Sequence, residues 1–533
     1  MVVAAHPLAA AAGLAILERG GSAVDAMVAT QLVLGLVEPQ ASGLGGGAFL
    51  LYHDAKAKRS VAYDGRETAP AAADASLFVA QDGKPMAFND AVVGGRSVGV
   101  PGTPRLLEVA HARHGRLAWA DLFAAAIALA EKGFALSPRV HRLLSEDKAL
   151  ALEPAARALY YTADGSAKPA GTLIRNPAYA DTLRRIARGG SDAFYRGEIA
   201  RDVVAAVRGH ANPGVMTDAD LDGYRVRSVD PLCGPYRGKT VCGMPPSSSG
   251  GIAVQQILGA LSRFEMASVR PNSTESVHLV SEAERLAFAD RNRWVADDRF
   301  ADVPVEGLLD RNYLAARAGL IERHRTMGRA EAGTPAGAKV AYADDGVDEA
   351  AGTSHISIVD RDGNAVSMTT TIEGAFGSKQ MVRGFLLNNE LTDFSFLPAE
   401  AGRPVANRVA GGKRPRSSMA PTFVFDAAGR LEMAIGSPGG SLIIGYVAKA
   451  LIATIDWKLD VQSAIDLPNM GSRNGPTELE KGSAAEPLAA PLKALGHEVR
   501  VIDMTSGLHG IRRTARGWEG GADPRREGVA RGR

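Results

Sequence analysis

The chain has 533 residues, 46% of them apolar, enough to bury a large core in one large domain or several. Sixty-one Lys and Arg against 59 Asp and Glu leave a net charge of +2, so no strong field singles out nucleic acid or a membrane surface as partner, and a small polar or zwitterionic ligand is the default. No run of eighteen or more apolar residues occurs, which argues against a membrane span. Cys233 and Cys242 alone are too few for a disulfide-stapled scaffold or a four-thiolate zinc site.

Residues 1–7 carry neither Lys nor Arg nor an apolar stretch before a cleavage site, which reads as no secretory signal and a cytoplasmic chain, or a periplasmic one if a leader was removed. Leu8, Ala12, Ile16 and Leu17 fall on one face of a helix predicted over 8–19 and stopped by Gly20-Gly21. Ser22 to Asp25 has the form of a capping box for a second helix ending near Pro39. A glycine-dense loop, 42–47, then leads into a strand at 48–52.

Helical spacing dominates the middle, at 119–132, 178–188, 199–208 and 275–295. A hairpin over 231–241 turning at Arg237-Gly238 would set Cys233 and Cys242 directly opposite each other; in a chain without an export signal, two buried reduced thiols are the favoured state. Residues 244–251 form a turn-rich lead-in to a helix near Ile252. From Glu331 to Gly352 the sequence is rich in Ala, Gly and Asp without an apolar period, which reads as a mobile linker ending at Thr353. Strands are expected at 355–359 and 365–372 around an Asp362-Gly363 turn, and at 422–425 and 431–435, so Thr353 stands just before a hairpin. Helices and strands mixed in this way imply layered α and β elements.

No phosphate-loop, zinc-protease or nucleophile-elbow pattern is present, and the eleven histidines show no metal-ligand spacing. Glycines 43–47 could cradle a phosphate, yet no Lys-Ser/Thr follows them, and glycines also serve close helix packing. Thr353 is more informative. A cut before it would create an amine beside a hydroxyl, and an α-amino group titrating near ~7.7–8.0 can take the hydroxyl proton at neutral pH. The same position also suits a purely structural threonine.

Several stretches settle the choice together. Thr353-Ser354-His355-Ile356-Ser357-Ile358-Val359-Asp360, Asp362-Gly363-Asn364-Ala365-Val366, Leu387-Asn388-Asn389-Glu390-Leu391-Thr392-Asp393-Phe394, Lys413-Arg414-Pro415-Arg416-Ser417-Ser418-Met419, Ser437-Pro438-Gly439-Gly440-Ser441 and Asp64-Gly65-Arg66-Glu67-Thr68-Ala69-Pro70 occur in that family's order in a chain that resembles the γ-glutamyltransferase (glutathione hydrolase) family over nearly its whole length. The resemblance implies an α+β fold, the four-layer αββα sandwich of N-terminal-nucleophile hydrolases. It implies a precursor that cuts itself between Gly352 and Thr353. The two pieces, 1–352 and 353–533, would stay interlocked as one domain and form a heterodimer of large and small subunits.

On the same ground Thr353 is the expected nucleophile, Thr371 its hydrogen-bond partner, and the Gly439-Gly440 main chain the expected oxyanion hole. Arg66, Ser417 and Ser418 would hold a substrate α-carboxylate, while Asp393, Glu373 and Glu390 would face its α-ammonium. Gly352 suits a strained scissile bond. The implied reaction is ping-pong: γ-glutamyl amides such as glutathione give up an amine, and the acyl group passes to water or to an amino-acid or peptide acceptor, hydrolysis being favoured. No metal, organic cofactor, nucleic acid or membrane partner is called for. Some family members carry Asn in place of Glu373, and residues 395–412, where many place a lid with a gating Tyr, contain no Tyr. Two alternatives stand beside this reading, an acylase removing a dicarboxylic side chain such as glutaryl and an unprocessed ligand-binding pseudoenzyme.

Overall fold

The computed structural model describes residues 1–346 and 352–532. Thirteen strands build its two main sheets: β1 (Val2–Ala4), β2 (Gly47–Asp54), β3 (Arg59–Gly65), β4 (Arg227–Val229), β5 (Leu232–Tyr236), β6 (Lys239–Gly243), β7 (Gly352–Val359), β8 (Ala365–Glu373), β9 (Thr422–Phe425), β10 (Leu431–Gly436), β11 (His509–Thr514), β12 (Gly517–Ala522) and β13 (Val529–Arg531). The first sheet runs β13-β1-β7-β8-β2-β3-β4 and the second β12-β11-β10-β9-β6-β5.

Strand alternation sorts the side chains into two cores. Along β2, Ala48, Leu50 and Tyr52 join the core shared with helices α1 (Pro7–Glu18) and α2 (Ala23–Val37), while Phe49 and Leu51 face the second sheet and meet the cluster of Phe423, Ile435 and Ile511. Beyond that sheet lie α3 (Gly250–Leu261), α4 (Thr274–Trp294) and α5 (Ile443–Ile455), whose apolar residues belong to the second cluster. Helix, sheet, sheet, helix is the αββα order anticipated. Polar bridges also cross between the sheets: Ser367 Oγ donates to Ile435 O at 3.1 Å and accepts from Thr422 N at 3.2 Å.

Local chemistry explains the element ends. Ser22 and Asp25 close a reciprocal capping box on α2, every residue of which is buried. Long periodic segments appear as expected, at Pro177–Gly189, Gly197–Gly209 and Thr274–Trp294, while the 119–132 segment splits into a 3-10 turn, Trp119–Phe123, and a helix, Ala124–Lys132. The β5–β6 hairpin turns at Arg237 and Gly238, both at positive φ, and pairs Cys233 with Cys242. Contrary to the expectation of two reduced thiols, these cysteines form a disulfide: opposed residues with Cα atoms 4.1 Å apart place both sulfurs within bonding reach.

The linker also departs from expectation. Residues 347–351 lie outside the described residues, but 331–346 packs against the body without regular structure. Tyr342 and Ala343 are buried, Ala343 bridges to Val405, and the buried Asp345 accepts from Arg416 Nη2 and Asn407 Nδ2, each at 2.9 Å. Buried Tyr342 and the ion pairs of Asp344 with Arg293 and of Asp345 with Arg416 anchor a stretch that has no apolar period.

Glu284 on α4 is a costly group in this core. Its Oε2 accepts from Ser472 N at 2.5 Å, its Oε1 has no hydrogen-bond partner, and a Cβ at Gly445 or Gly471 would lie only 2.7 or 2.3 Å from its carboxyl oxygens. Burial pushes this carboxyl up to about 8. The folded state therefore favours the protonated form, and the stability this gives is present in full near pH 4 and is lost as pH rises toward 8. Glu284→Gln is expected to match the parent in denaturant melts near pH 4 and to exceed it by about 3 kcal/mol at pH 9. A constant difference across pH would count against the buried charge.

Candidate active site

The β7–β8 ladder sets Thr353 opposite Thr371, then slips so that Gly352 faces Glu373. Glu373 sits in the left-handed region at φ 74°, an uncommon conformation for a residue with a side chain. At this bulge the Thr371 hydroxyl accepts from Thr353 Oγ1 at 3.2 Å and from Glu373 N at 2.7 Å, and donates to Gly352 O at 2.7 Å. One hydroxyl thus touches both the side chain of Thr353 and the carbonyl of the peptide bond before it. Gly352 is required by space: a Cβ there would lie 2.4 Å from Glu373 O and 2.7 Å from Gly374 C.

Around this pair the structure gathers a small cavity of ≈ 10 Å³, room for about one water. Arg66, Thr353, Thr371, Glu373, Glu390, Asp393, Ser417 and Gly440 line it, from both proposed pieces of the chain. Ser418 lies beside it instead, its hydroxyl accepting from Arg291 Nη2 at 2.7 Å. Gly439 is the residue before the lining Gly440; at φ 140°, with a would-be Cβ 2.6 Å from the Tyr446 ring, it admits only glycine. From Gly440 a 3-10 turn, Gly440–Leu442, runs directly into α5, so the first N–H groups of a helix are presented at the cavity.

Arg66 follows the end of β3 and is buried. Its guanidinium pairs with Glu390 Oε1 and Asp393 Oδ2 and donates to Arg416 O at 2.8 Å and Pro415 O at 3.2 Å. Glu390 and Asp393, three residues apart on one 3-10 turn, face the same cation. Ser417 lines the same cavity as Arg66, and the acids expected to face a substrate ammonium, Glu390 and Asp393, pair with its guanidinium in this structure. Asn389 Nδ2 donates to Glu373 Oε2, fixing the third acid. Burial raises the Glu390 carboxyl well above the carboxylate range, with Arg66 pulling it down, and burial pushes neighbouring Glu67 up to about 7.

Three residues at this site had no signal in the sequence reading. Glu67 stands beside Arg66 in a motif from which only the arginine was taken. Arg526, fully buried near the C-terminus, donates from Nη1 to Thr353 O at 2.9 Å. Glu38, at the end of α2, accepts from Ser354 Oγ at 3.1 Å.

Among the described residues one cluster has the spacing of a metal site: His278, Glu282 and His497. It is closed on itself. His278 Nε2 bonds Glu322 O, His497 bridges His278 and Thr477 at 2.7 Å each, and Glu282 accepts from Arg285, Thr326 and Met327.

A family model described as Gamma-glutamyltranspeptidase matches residues 9–532. The chain belongs to this family. As a gamma-glutamyltranspeptidase relative it is 35% identical, over 93% of its length and 85% of the other, to the "Glutathione hydrolase proenzyme" of Bacillus subtilis strain 168. It is 36% identical, over 96% and 89%, to the "Acylase ACY 1 proenzyme" of Pseudomonas sp. strain SE83. The solved structure of the cephalosporin acylase from Bacillus halodurans superposes with a TM-score of 0.86 at 28% identity, covering 99% of this chain and 94% of that one. Family membership and the αββα architecture thus agree.

Proposed function

We propose that this gamma-glutamyltranspeptidase relative is a self-processing hydrolase that cuts γ-glutamyl amides such as glutathione, with Thr353 as nucleophile. The observation that carries the reading is the hydroxyl chain from Thr353 Oγ1 through Thr371 to Gly352 O, set against Arg66 and three acidic side chains. In the precursor, Thr353 Oγ attacks the Gly352 carbonyl carbon while the Thr371 hydroxyl polarises its oxygen. The C–N bond breaks as the Gly352 acyl group moves from nitrogen to oxygen, and the proton that leaves Thr353 Oγ passes to the departing nitrogen. Water then hydrolyses the ester, leaving a Gly352 carboxylate and a free Thr353 amine.

In the mature protein that amine takes the Oγ proton as Oγ attacks the γ-carbonyl of the substrate, and N–H groups at Gly439-Gly440 receive the developing oxyanion. The proton passes to the departing amine. Water, or an amino acid or peptide, then takes the acyl group from Thr353 Oγ. Arg66 binds the substrate α-carboxylate with Ser417 and Ser418 alongside, and Asp393, Glu390 and Glu373 receive the α-ammonium. A zwitterion inserted here replaces each Arg66–carboxylate pairing by an equivalent one. A zwitterion brings no net charge, so it leaves the site's charge balance unchanged, whereas an uncharged ligand would leave any Arg66–carboxylate pair it parted without a substitute.

The acylase-named relative at 36% identity and the cephalosporin acylase structure support a second reading, removal of a glutaryl group. A glutaryl donor lacks the ammonium. Asp393→Asn is therefore expected to lower kcat/KM for a γ-glutamyl anilide about 10-fold or more and to change glutaryl anilide turnover much less. Equal losses on the two would remove Asp393 from ammonium binding, and turnover of the glutaryl anilide alone by the parent protein would favour the acylase.

A further inference from the structure

Beside the β5–β6 hairpin a cavity of ≈ 590 Å³ lies between three elements, strand β5, helix α3 and the short helix Arg311–Ala318. It shares no lining residue with the catalytic cavity. Each helix turns one face toward it: Gln255, Leu258 and Gly259 of α3, and Arg311, Leu314 and Ala318 of the second helix, fall at the three- and four-residue spacing of a single stripe. The second helix is tied to the body by other residues, Tyr313 Oη donating to Asp290 Oδ2 at 2.8 Å and Arg317 Nη2 pairing with Asp290 Oδ1 at 3.2 Å. Gly234, Gly259, Ala315 and Ala318 contribute little side-chain volume, so the space between the three elements stays unfilled.

Apolar side chains make most of the wall, and its polar ones are already engaged. Gln255 Nε2 donates to Leu232 O at 2.9 Å, Ser262 Oγ to Leu258 O at 2.9 Å and Tyr236 Oη to Asp456 Oδ2 at 2.6 Å. Among the described residues no Asp or Glu lines the cavity, while Arg263 and Arg311 stand exposed at its edge. Neither arginine makes an ion pair among the described residues. Arg263 gives Nη1 to Ala318 O at 2.9 Å, a neutral group, and the Arg311 guanidinium has no partner there. Asp310, next to it in sequence, turns Oδ1 to the helix start instead, accepting from Asn312 N at 2.9 Å and Tyr313 N at 3.0 Å.

We propose that this cavity binds an amphiphilic carboxylate, whose apolar body fills the space between α3 and Arg311–Ala318 while its charge meets Arg263 and Arg311. The volume is that of a small-ligand site, and an apolar body placed against Leu258, Leu314 and Val241 leaves water for a wall that offers it no unmet hydrogen bond. Two guanidiniums without an acid beside them set the sign of the charge. A cation would meet two like charges, and a neutral body of the same shape would gain nothing from either. Because both arginines are exposed, the carboxylate keeps part of its water, which spares most of the desolvation cost of a buried ion. The inference stands apart from the γ-glutamyl reading, since binding is read without turnover.

The test titrates decanoate into the full-length protein by calorimetry, with decanamide, the same chain without the charge, as its comparison. Decanoate is expected to bind at one equivalent with a Kd below about 1 mM, and decanamide about 10-fold more weakly. Arg311→Gln, on an exposed side chain, should narrow that preference to about threefold, Arg263 supplying what remains. Ala315→Trp places an indole in the cavity from an exposed helix position and should abolish decanoate binding, while both variants melt as the parent does. Absence of saturable decanoate binding to the parent, equal affinity for the two ligands, a preference undiminished in Arg311→Gln, or a decanoate Kd unchanged in Ala315→Trp would each overturn the proposal.

Discussion

Thr353→Ala is expected to remain one 533-residue polypeptide and to release no amine from γ-glutamyl anilides, a loss of about 10⁴-fold or more. The hydroxyl is needed twice, first against Gly352 and then against substrate. Thr371 donates its hydroxyl to the Gly352 oxygen and sits across the ladder, so in the proposed mechanism it polarises the bond and does not cut it. Alanine keeps the strand and its register because both side chains lie within a buried β7–β8 pair; the variant should therefore melt as the uncut parent does. Thr353→Ser retains the hydroxyl and should still yield two pieces, 1–352 and 353–533. Intact-mass measurement with anilide release reads both steps at once. Turnover by a chain still joined at Gly352–Thr353 would sink the mechanism.

Much of this arrangement was legible before any coordinates because the informative residues are neighbours in sequence. The capping box of α2, the stop at Gly20 and the β7–β8 hairpin are local chemistry, and the structure reproduces them within a few residues. Gly352 was read as a strained position, and the structure gives a different reason, the main chain of Glu373 and Gly374 lying too close for a side chain. The cysteine register was also local, since a two-residue turn dictates which residues face each other. Whether opposed thiols are joined is a separate matter of redox chemistry that spacing does not encode.

Contacts made at long range left no such trace. Arg526 meets Thr353 across 173 residues, and no pattern near the C-terminus distinguishes it from the adjacent Arg525, which pairs with Glu480 and Asp523. Motif order identified Arg66, Glu390 and Asp393 as members of one site. It could not show that the arginine binds the two acids directly, because that depends on a 3-10 turn aligning them toward β3. The linker misled for the opposite reason: absence of period signals absence of regular structure, and Tyr342 and Asp345 pack 331–346 without either.

Arg526→Gln should lower turnover at pH 7 about 100-fold, with much of the loss recovered at pH 9. Its guanidinium donates to Thr353 O at 2.9 Å, Ser506 O at 3.2 Å and Thr505 O at 3.4 Å, so after the cut it lies close to the new α-amine. A cation there disfavours the ammonium and lowers the amine pKa, which keeps the base in its working form at neutral pH. Other charges face the same region. Glu38, Asp523 and Tyr446 stand around Arg526 with Arg139, and Glu527 lies by Glu38; Glu373, Glu390, Asp393 and Arg66 lie across the cavity. His355 and His509 are held neutral by burial and add no charge. Removing the Arg526 charge leaves the acids on both sides less opposed, so the amine pKa rises and the acid limb of kcat/KM moves to higher pH by about one unit, the rest of the loss reflecting a less firmly held Thr353. Arg526→Lys retains the charge and should keep the limb in place while losing part of the rate. A uniform fall across pH, with the limb unmoved in Arg526→Gln, would mean that the arginine only supports the chain around Thr353.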